Sequence, residues 1–105
     1  MAILEITDNN FENETSSGLV IVDFWAPWCA PCRAVAPVLE ALSSEFEGQV
    51  KVTKVNVDEN PKSAQQFGVT SIPTVIFLKD GGLTETVVGA QPKPRYEELI
   101  NKHLG

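Results

Sequence analysis

Two cysteines, Cys29 and Cys32, stand three positions apart in the stretch FWAPWCAPCR, Phe24–Arg33. They are the only thiols of a 105-residue chain that has a single histidine, His103. Three chemistries fit such a pair: a structural disulfide, half of a metal site, or a reversible dithiol–disulfide couple. As a staple the pair is weak. Closing a loop of about four residues is worth about 2 kcal/mol, against roughly 3 kcal/mol for a 15-residue loop. Zinc asks for four ligands, commonly two such pairs or one pair with two histidines, and here one pair faces one remote histidine. An intermolecular zinc site stays open on these residues alone, and His103 reads as an ordinary exposed residue of a terminal helix.

The redox reading draws positive support from what flanks the pair. LVIVDFW, Leu19–Trp25, is a nearly continuous apolar run rich in β-branched and aromatic residues, the pattern of a strand buried on both faces. After it Val35, Val38, Leu39, Leu42 and Phe46 recur at spacings of three and four, a helix that Gly48 closes. Cys29 therefore falls at a helix N-terminus, where unpaired N–H groups and the helix dipole favour an anion. Its thiol loses a proton more readily there than a free cysteine does. Cys32 is one turn further on the same face, and Pro31 suits the first turn, where its missing N–H costs nothing. A Cys29 thiolate can then attack a disulfide, and Cys32 can release the mixed disulfide that results.

The remaining elements follow from pattern. Ile3–Ile6 reads as a first strand, and TDNNFENETSS as a weak surface helix with N-cap residues at Thr7 and Asp8. Pro37 is predicted to bend the long helix. KVTKVNV, Lys51–Val57, is a strand; Asn60-Pro61 caps and starts a short helix that Phe67-Gly68 ends. Thr74–Leu78 and Leu83–Val88 flank KDGG as a hairpin, and Tyr96, Leu99, Ile100 and Leu104 mark a final amphipathic helix. The order is βαβαβ followed by αββα, and right-handed crossovers place helices on both faces of one mixed sheet. Within it Asp23 interrupts an apolar strand; a carboxyl buried there would have a raised pKa, while one at a strand end would meet solvent. Lys54 falls in line with Val50 and Val52 on one strand face, where on pattern alone it reads as an ordinary edge lysine.

WAPWCAPC resembles the active-site segment of the thioredoxin family, in which glycine usually stands at the position of Ala30. VDFWAPWC, the helix start with its internal Pro37, KVNVDENP, FGVTSIPT, the DGG turn and VVGA match that family in order and spacing over essentially the whole chain. The resemblance implies the thioredoxin fold: α/β, a central mixed five-stranded sheet flanked by four helices on both faces, in one domain over residues 1–105. It implies a protein-disulfide reductase with Cys29 as nucleophile and Cys32 as resolving thiol. Asp23 matches an aspartate assigned as proton acceptor for that thiol, and Lys54 matches its neighbour. Pro73 matches a cis-proline packed on the cysteines, leaving Ile72 backbone groups free to pair with an extended substrate. Trp28, Ala30, Pro31, Ile72, Gly89 and Ala90 fall on an apolar docking surface around the exposed sulfur; Trp25 is assigned to packing. Arg33 replaces a frequent lysine, and Thr70-Ser71 stands where a basic residue and glycine are common.

The implied partners are protein disulfides and a flavin-dependent thioredoxin reductase drawing on NADPH. With no nucleotide-binding glycine loop in the chain, no bound cofactor is expected. Eight Lys and Arg against fourteen Asp and Glu give a formal charge of −6, which disfavours nucleic acid and anionic lipid as partners. The N-terminal MAILEITDNN has no basic segment followed by an apolar one, so the cytoplasm is the expected compartment, and a monomer the expected state. Two other readings compete: a thiol oxidant or isomerase on the same fold, and a binding module that uses the docking surface without turnover.

Overall fold

Seven consecutive residues of mostly apolar sequence need cover on both sides, and Leu19–Trp25 obtains it as the middle strand of the sheet. The structure, a computed structural model, describes residues 3–105, so Met1 and Ala2 of the expected 1–105 domain lie outside the described residues. The elements run β1 (Leu4–Glu5), α1 (Phe11–Thr15), β2 (Leu19–Trp25), α2 (Ala30–Glu45), β3 (Lys51–Asn56), α3 (Pro61–Gln66), β4 (Thr74–Lys79), β5 (Gly82–Val88) and α4 (Lys93–Leu104). The strands are ordered β1-β3-β2-β4-β5. β3 lies parallel to both β1 and β2, while β4 is antiparallel to β2 and β5.

The alternation along β2 sorts the core. Leu19 and Ile21 join Val35, Leu39 and Leu42 of α2 and Tyr96, Leu99 and Ile100 of α4 on one face. Val20, Val22 and Phe24 face the other way, against Phe11 of α1 and Ala64 of α3. Asp23, by the same period of two, belongs to the α2 face. This confirms the mixed five-stranded sheet with helices on both faces.

The differences from expectation have local causes. β1 shrinks to two exposed residues because it is an edge strand paired with β3 alone, although Ile6 beyond it is buried and donates its N–H to the Lys54 carbonyl at 2.9 Å. α1 begins at Phe11, not near Thr7 or Asp8, and makes no side-chain cap. Asp8 instead caps a distant helix: its carboxylate accepts from the Lys62 N–H at 3.1 Å, the Ser63 N–H at 2.8 Å and the Ser63 hydroxyl at 2.6 Å. Asn60, the expected cap of that helix, makes no cap bond. It accepts from the Asp8 N–H at 2.8 Å and donates to the Asn56 carbonyl at 3.0 Å. The hairpin turn is Asp80-Gly81, both with positive φ (50° and 85°), a mirror-image turn whose twist suits paired strands.

His103 is not the exposed residue expected. Its side chain is 17% exposed, with Nε2 2.8 Å from Glu85 Oε2, and Lys102 reaches the same oxygen at 3.0 Å. The hydrogen bond from His103, then that from Lys102, holds the Glu85 carboxyl below its ordinary range. No helix among the described residues is long and apolar enough to cross a membrane.

Candidate active site

The turn from β2 into α2 delivers the cysteines. Cys29 has extended backbone (φ −90°, ψ 107°) and is the N-cap of a 16-residue helix. Its Sγ occupies the position of a capping oxygen, accepting the Cys32 N–H at 3.2 Å. The two cysteines are joined by a disulfide, with their Cα atoms 5.2 Å apart. Pro31 sits in the first helical turn, as predicted. Arg33 Nη1 donates to the Pro27 carbonyl at 2.9 Å, tying the loop before the cysteines to the helix that follows them. The sulfur is less open than expected: Cys29 is 4% exposed and Cys32 3%. Both pack with buried Ala26 and with half-buried Trp25, Val57 and Ile72.

Beneath the pair, a cavity of about 110 Å³ is lined by Asp23, Trp25, Cys32, Arg33, Ala36 and Lys54. Asp23 is 4% exposed, so the reading of a solvent-facing carboxyl is excluded, and its Oδ1 has no hydrogen-bond partner among the described residues. Burial pushes its pKa from 3.8 up to about 7, and the charge of Lys54 pulls only partly back. Lys54 is the register partner of Asp23 on the neighbouring strand, so it is no edge lysine. Its Nζ lies 5.0 Å from the centre of the Trp25 ring, which gives Trp25 a contact with this charge besides its packing. A carboxyl that titrates near neutrality can give or take a proton where an ordinary aspartate cannot.

Beside the pair, the surface is apolar and open. Trp28 is 67% exposed, which excludes core packing, and its indole N–H donates to Asp58 Oδ2 at 2.9 Å. The Ile72-Pro73 bond is cis. The Ile72 carbonyl oxygen is 3.8 Å from Cys29 Sγ, a contact without a donor hydrogen while the disulfide is closed. The Pro73 carbonyl accepts the Gly89 N–H at 2.8 Å, which brings half-buried Gly89 and exposed Ala90 alongside the cis bond. Ala30 and Pro31 are exposed at the start of α2. Asp23 and Lys54 thus share the cavity with Cys32, Ile72 packs on the pair, and Gly89 is tied to Pro73 beside it. Asp58 was missed, because nothing in local spacing links position 28 to position 58. Arg33 was read as a charge rather than as the clamp it forms.

Known proteins match this arrangement along the whole chain. The thioredoxin family model covers residues 2–102. The chain belongs to the thioredoxin family. It is 54% identical to thioredoxin of Bacillus subtilis over 99% of this chain and 100% of that protein. Thioredoxin of Listeria monocytogenes is 53% identical over 97% and 99%, and that of Staphylococcus saprophyticus 51% over 99% and 100%. With its cysteines at bonding distance in that family setting, the chain is a thiol-disulfide oxidoreductase that acts on protein disulfides. The reading as a turnover-free binding module falls away. Among the described residues no group of three or more His, Cys, Asp and Glu is placed to hold a metal ion.

Proposed function

We propose that the chain acts as a single domain, residues 1–105, that reduces protein disulfides, with Cys29 as nucleophile and Cys32 as resolving thiol. The observation that carries this order is Sγ of Cys29 as the N-cap of α2, where the Cys32 N–H and the helix dipole stabilise a thiolate. The Cys29 thiolate attacks one sulfur of the substrate disulfide. That bond breaks, and the other sulfur leaves as a thiolate that takes a proton from solvent. Cys32 gives its proton to the Asp23 carboxylate and attacks Cys29 Sγ, which releases the second substrate thiolate. Two electrons have passed from the cysteine pair to the substrate. The raised pKa of Asp23 supports its part, since at pH 7 a large fraction is ionised and able to accept.

Lys54 tunes Asp23 by its charge, and Pro31 and Pro73 shape the backbone around the sulfurs. Trp28, Ala30, Ile72, Gly89 and Ala90 form the surface on which an extended substrate segment docks, with Ile72 backbone groups as its hydrogen-bonding edge. Thioredoxin reductase returns the pair to the dithiol with electrons from NADPH, and the working form is a cytoplasmic monomer.

The test is precipitation of insulin on reduction, followed by turbidity with NADPH and thioredoxin reductase, each omitted in turn. Turnover requires both, and Cys29→Ser abolishes it. Cys32→Ser accumulates a protein–substrate mixed disulfide detectable by mass. Full turnover by Cys29→Ser would overturn the assignment of the nucleophile.

A further inference from the structure

Resting on the reading just given, we propose that Asp58 is a charge-selecting residue of the docking groove, favouring substrates with a basic residue beside the attacked cysteine. The groove beside the disulfide has a volume of about 320 Å³ and is formed chiefly by Trp28, Val57, Val69 and Ile72, with Thr70 and Ser71 as its polar edge. None of its lining residues is charged. It can therefore grip an extended apolar segment, but by itself it cannot distinguish one charge from another.

Asp58 supplies the charge at the rim. Its Oδ2 is held by the Trp28 indole at 2.9 Å, and its own N–H donates to Asn56 Oδ1 at 2.9 Å. Asn56 is itself buried and receives the Asn60 amide on its carbonyl at 3.0 Å. The carboxylate is thus held by the indole and its backbone by Asn56, while the residue remains exposed and makes no ion pair among the described residues. The cations around the cysteine pair are engaged elsewhere: Arg33 on the Pro27 carbonyl and Lys54 over Trp25. An immobile, unpaired anion beside an uncharged groove attracts a lysine or arginine and repels an acidic residue, without the entropy cost of ordering a flexible side chain on the protein's side.

An ion pair at a solvated rim is worth about two- to fivefold in selectivity. Three disulfide peptides test this, alike except for Arg, Gln or Glu on both sides of the attacked cysteine. Each is mixed with pre-reduced protein and no other reductant, so that one disulfide becomes two thiols as the Cys29–Cys32 pair is oxidised. Rates are divided by those of a small dithiol on the same peptide, which removes intrinsic differences in disulfide reactivity. The expected Arg-to-Glu rate ratio is several-fold at low salt and shrinks at 1 M salt, where the screening length falls to about 3 Å. Asp58→Asn keeps an acceptor for the indole, removes the charge and brings the ratio close to one. Glu47→Gln removes the same charge just beyond the far end of α2 and leaves the ratio in place.

A wild-type ratio near one, a ratio unmoved by Asp58→Asn, or an equal loss in Glu47→Gln would each overturn the proposal. Reduction of the Gln peptide separates the two claims: if it proceeds without charge preference, only the selectivity fails. If no peptide is reduced, the functional reading fails and this proposal with it.

Discussion

Replacing Asp23 by asparagine changes how stability depends on pH, and the structure sets both sign and size. The carboxyl is buried beside Cys32 with one oxygen unpartnered, and its pKa rises from 3.8 to about 7. The folded protein therefore holds this proton more tightly than the unfolded chain. Stability is greatest below the unfolded value, declines as pH climbs from about 4, and levels off above about 7. At 1.36 kcal/mol per pKa unit the full decline is about 4 kcal/mol, of which about 2.3 kcal/mol falls between pH 5 and 7. Asparagine does not ionise, so its variant lacks this decline, while its buried amide carries a pH-independent penalty of about 1–3 kcal/mol. Guanidinium unfolding of the oxidised wild type and variant, repeated from pH 5 to 8.5, measures the difference directly. The variant gains on the wild type by about 2–3 kcal/mol across that range, most of it before pH 7.5. Parallel stability curves would refute the reasoning, because they would mean that Asp23 ionises in the fold as it does in the unfolded chain.

Asp8 makes the opposite case. Burial raises its pKa, but the Ser63 hydroxyl, the N–H groups of Ser63 and Lys62 and the Lys62 charge together outweigh this and lower it. Its contribution is present above the unfolded value of 3.8 and fades as pH drops through the lower folded one. Asp8→Ala is expected to cost about 1–2 kcal/mol at pH 7 in denaturant unfolding, a difference that closes in strong acid. Ala30→Gly is expected to move the reduction potential by about 20 mV at most, since Gly and Ala differ by up to about 1 kcal/mol in a helix and 30 mV corresponds to 1.4 kcal/mol. Equilibration with a glutathione buffer measures it, and a shift of 100 mV would show that the loop controls the couple by other means.

What could be read from the chain depended on whether the cause was local. β2 starts and ends where its apolar run does, because a central strand must be apolar on both faces. The cysteines at the head of α2 were legible for the same reason: strand, proline and helical period are neighbours in sequence. α1 was faint because only Phe11 and Thr15 of its five residues are buried. Long-range partners escaped. Asp8 looks like the cap of its own segment, yet Ser63, 55 positions away, outcompetes it for that carboxylate. The meetings of Trp28 with Asp58 and of His103 with Glu85 likewise depend on how distant segments pack, which no local pattern encodes. The proline bond before β4 became an expectation only through family resemblance, because a sequence alone rarely marks a cis peptide.

The cysteines belong to neither of the two large apolar clusters that cover the faces of the sheet. Their own small cluster meets the one around Phe11, Val20 and Phe24 through half-buried Val57 and Ile72. The part of the molecule that reacts is thus mounted at the margin of the part that holds it together. Leu39, Ile21 and Tyr96 pack in a cluster that does not include either cysteine, so the bond that opens and closes is no part of that packing. A carrier built this way presents each of its two partners, donor and acceptor, with the same outline and a different pair of sulfurs.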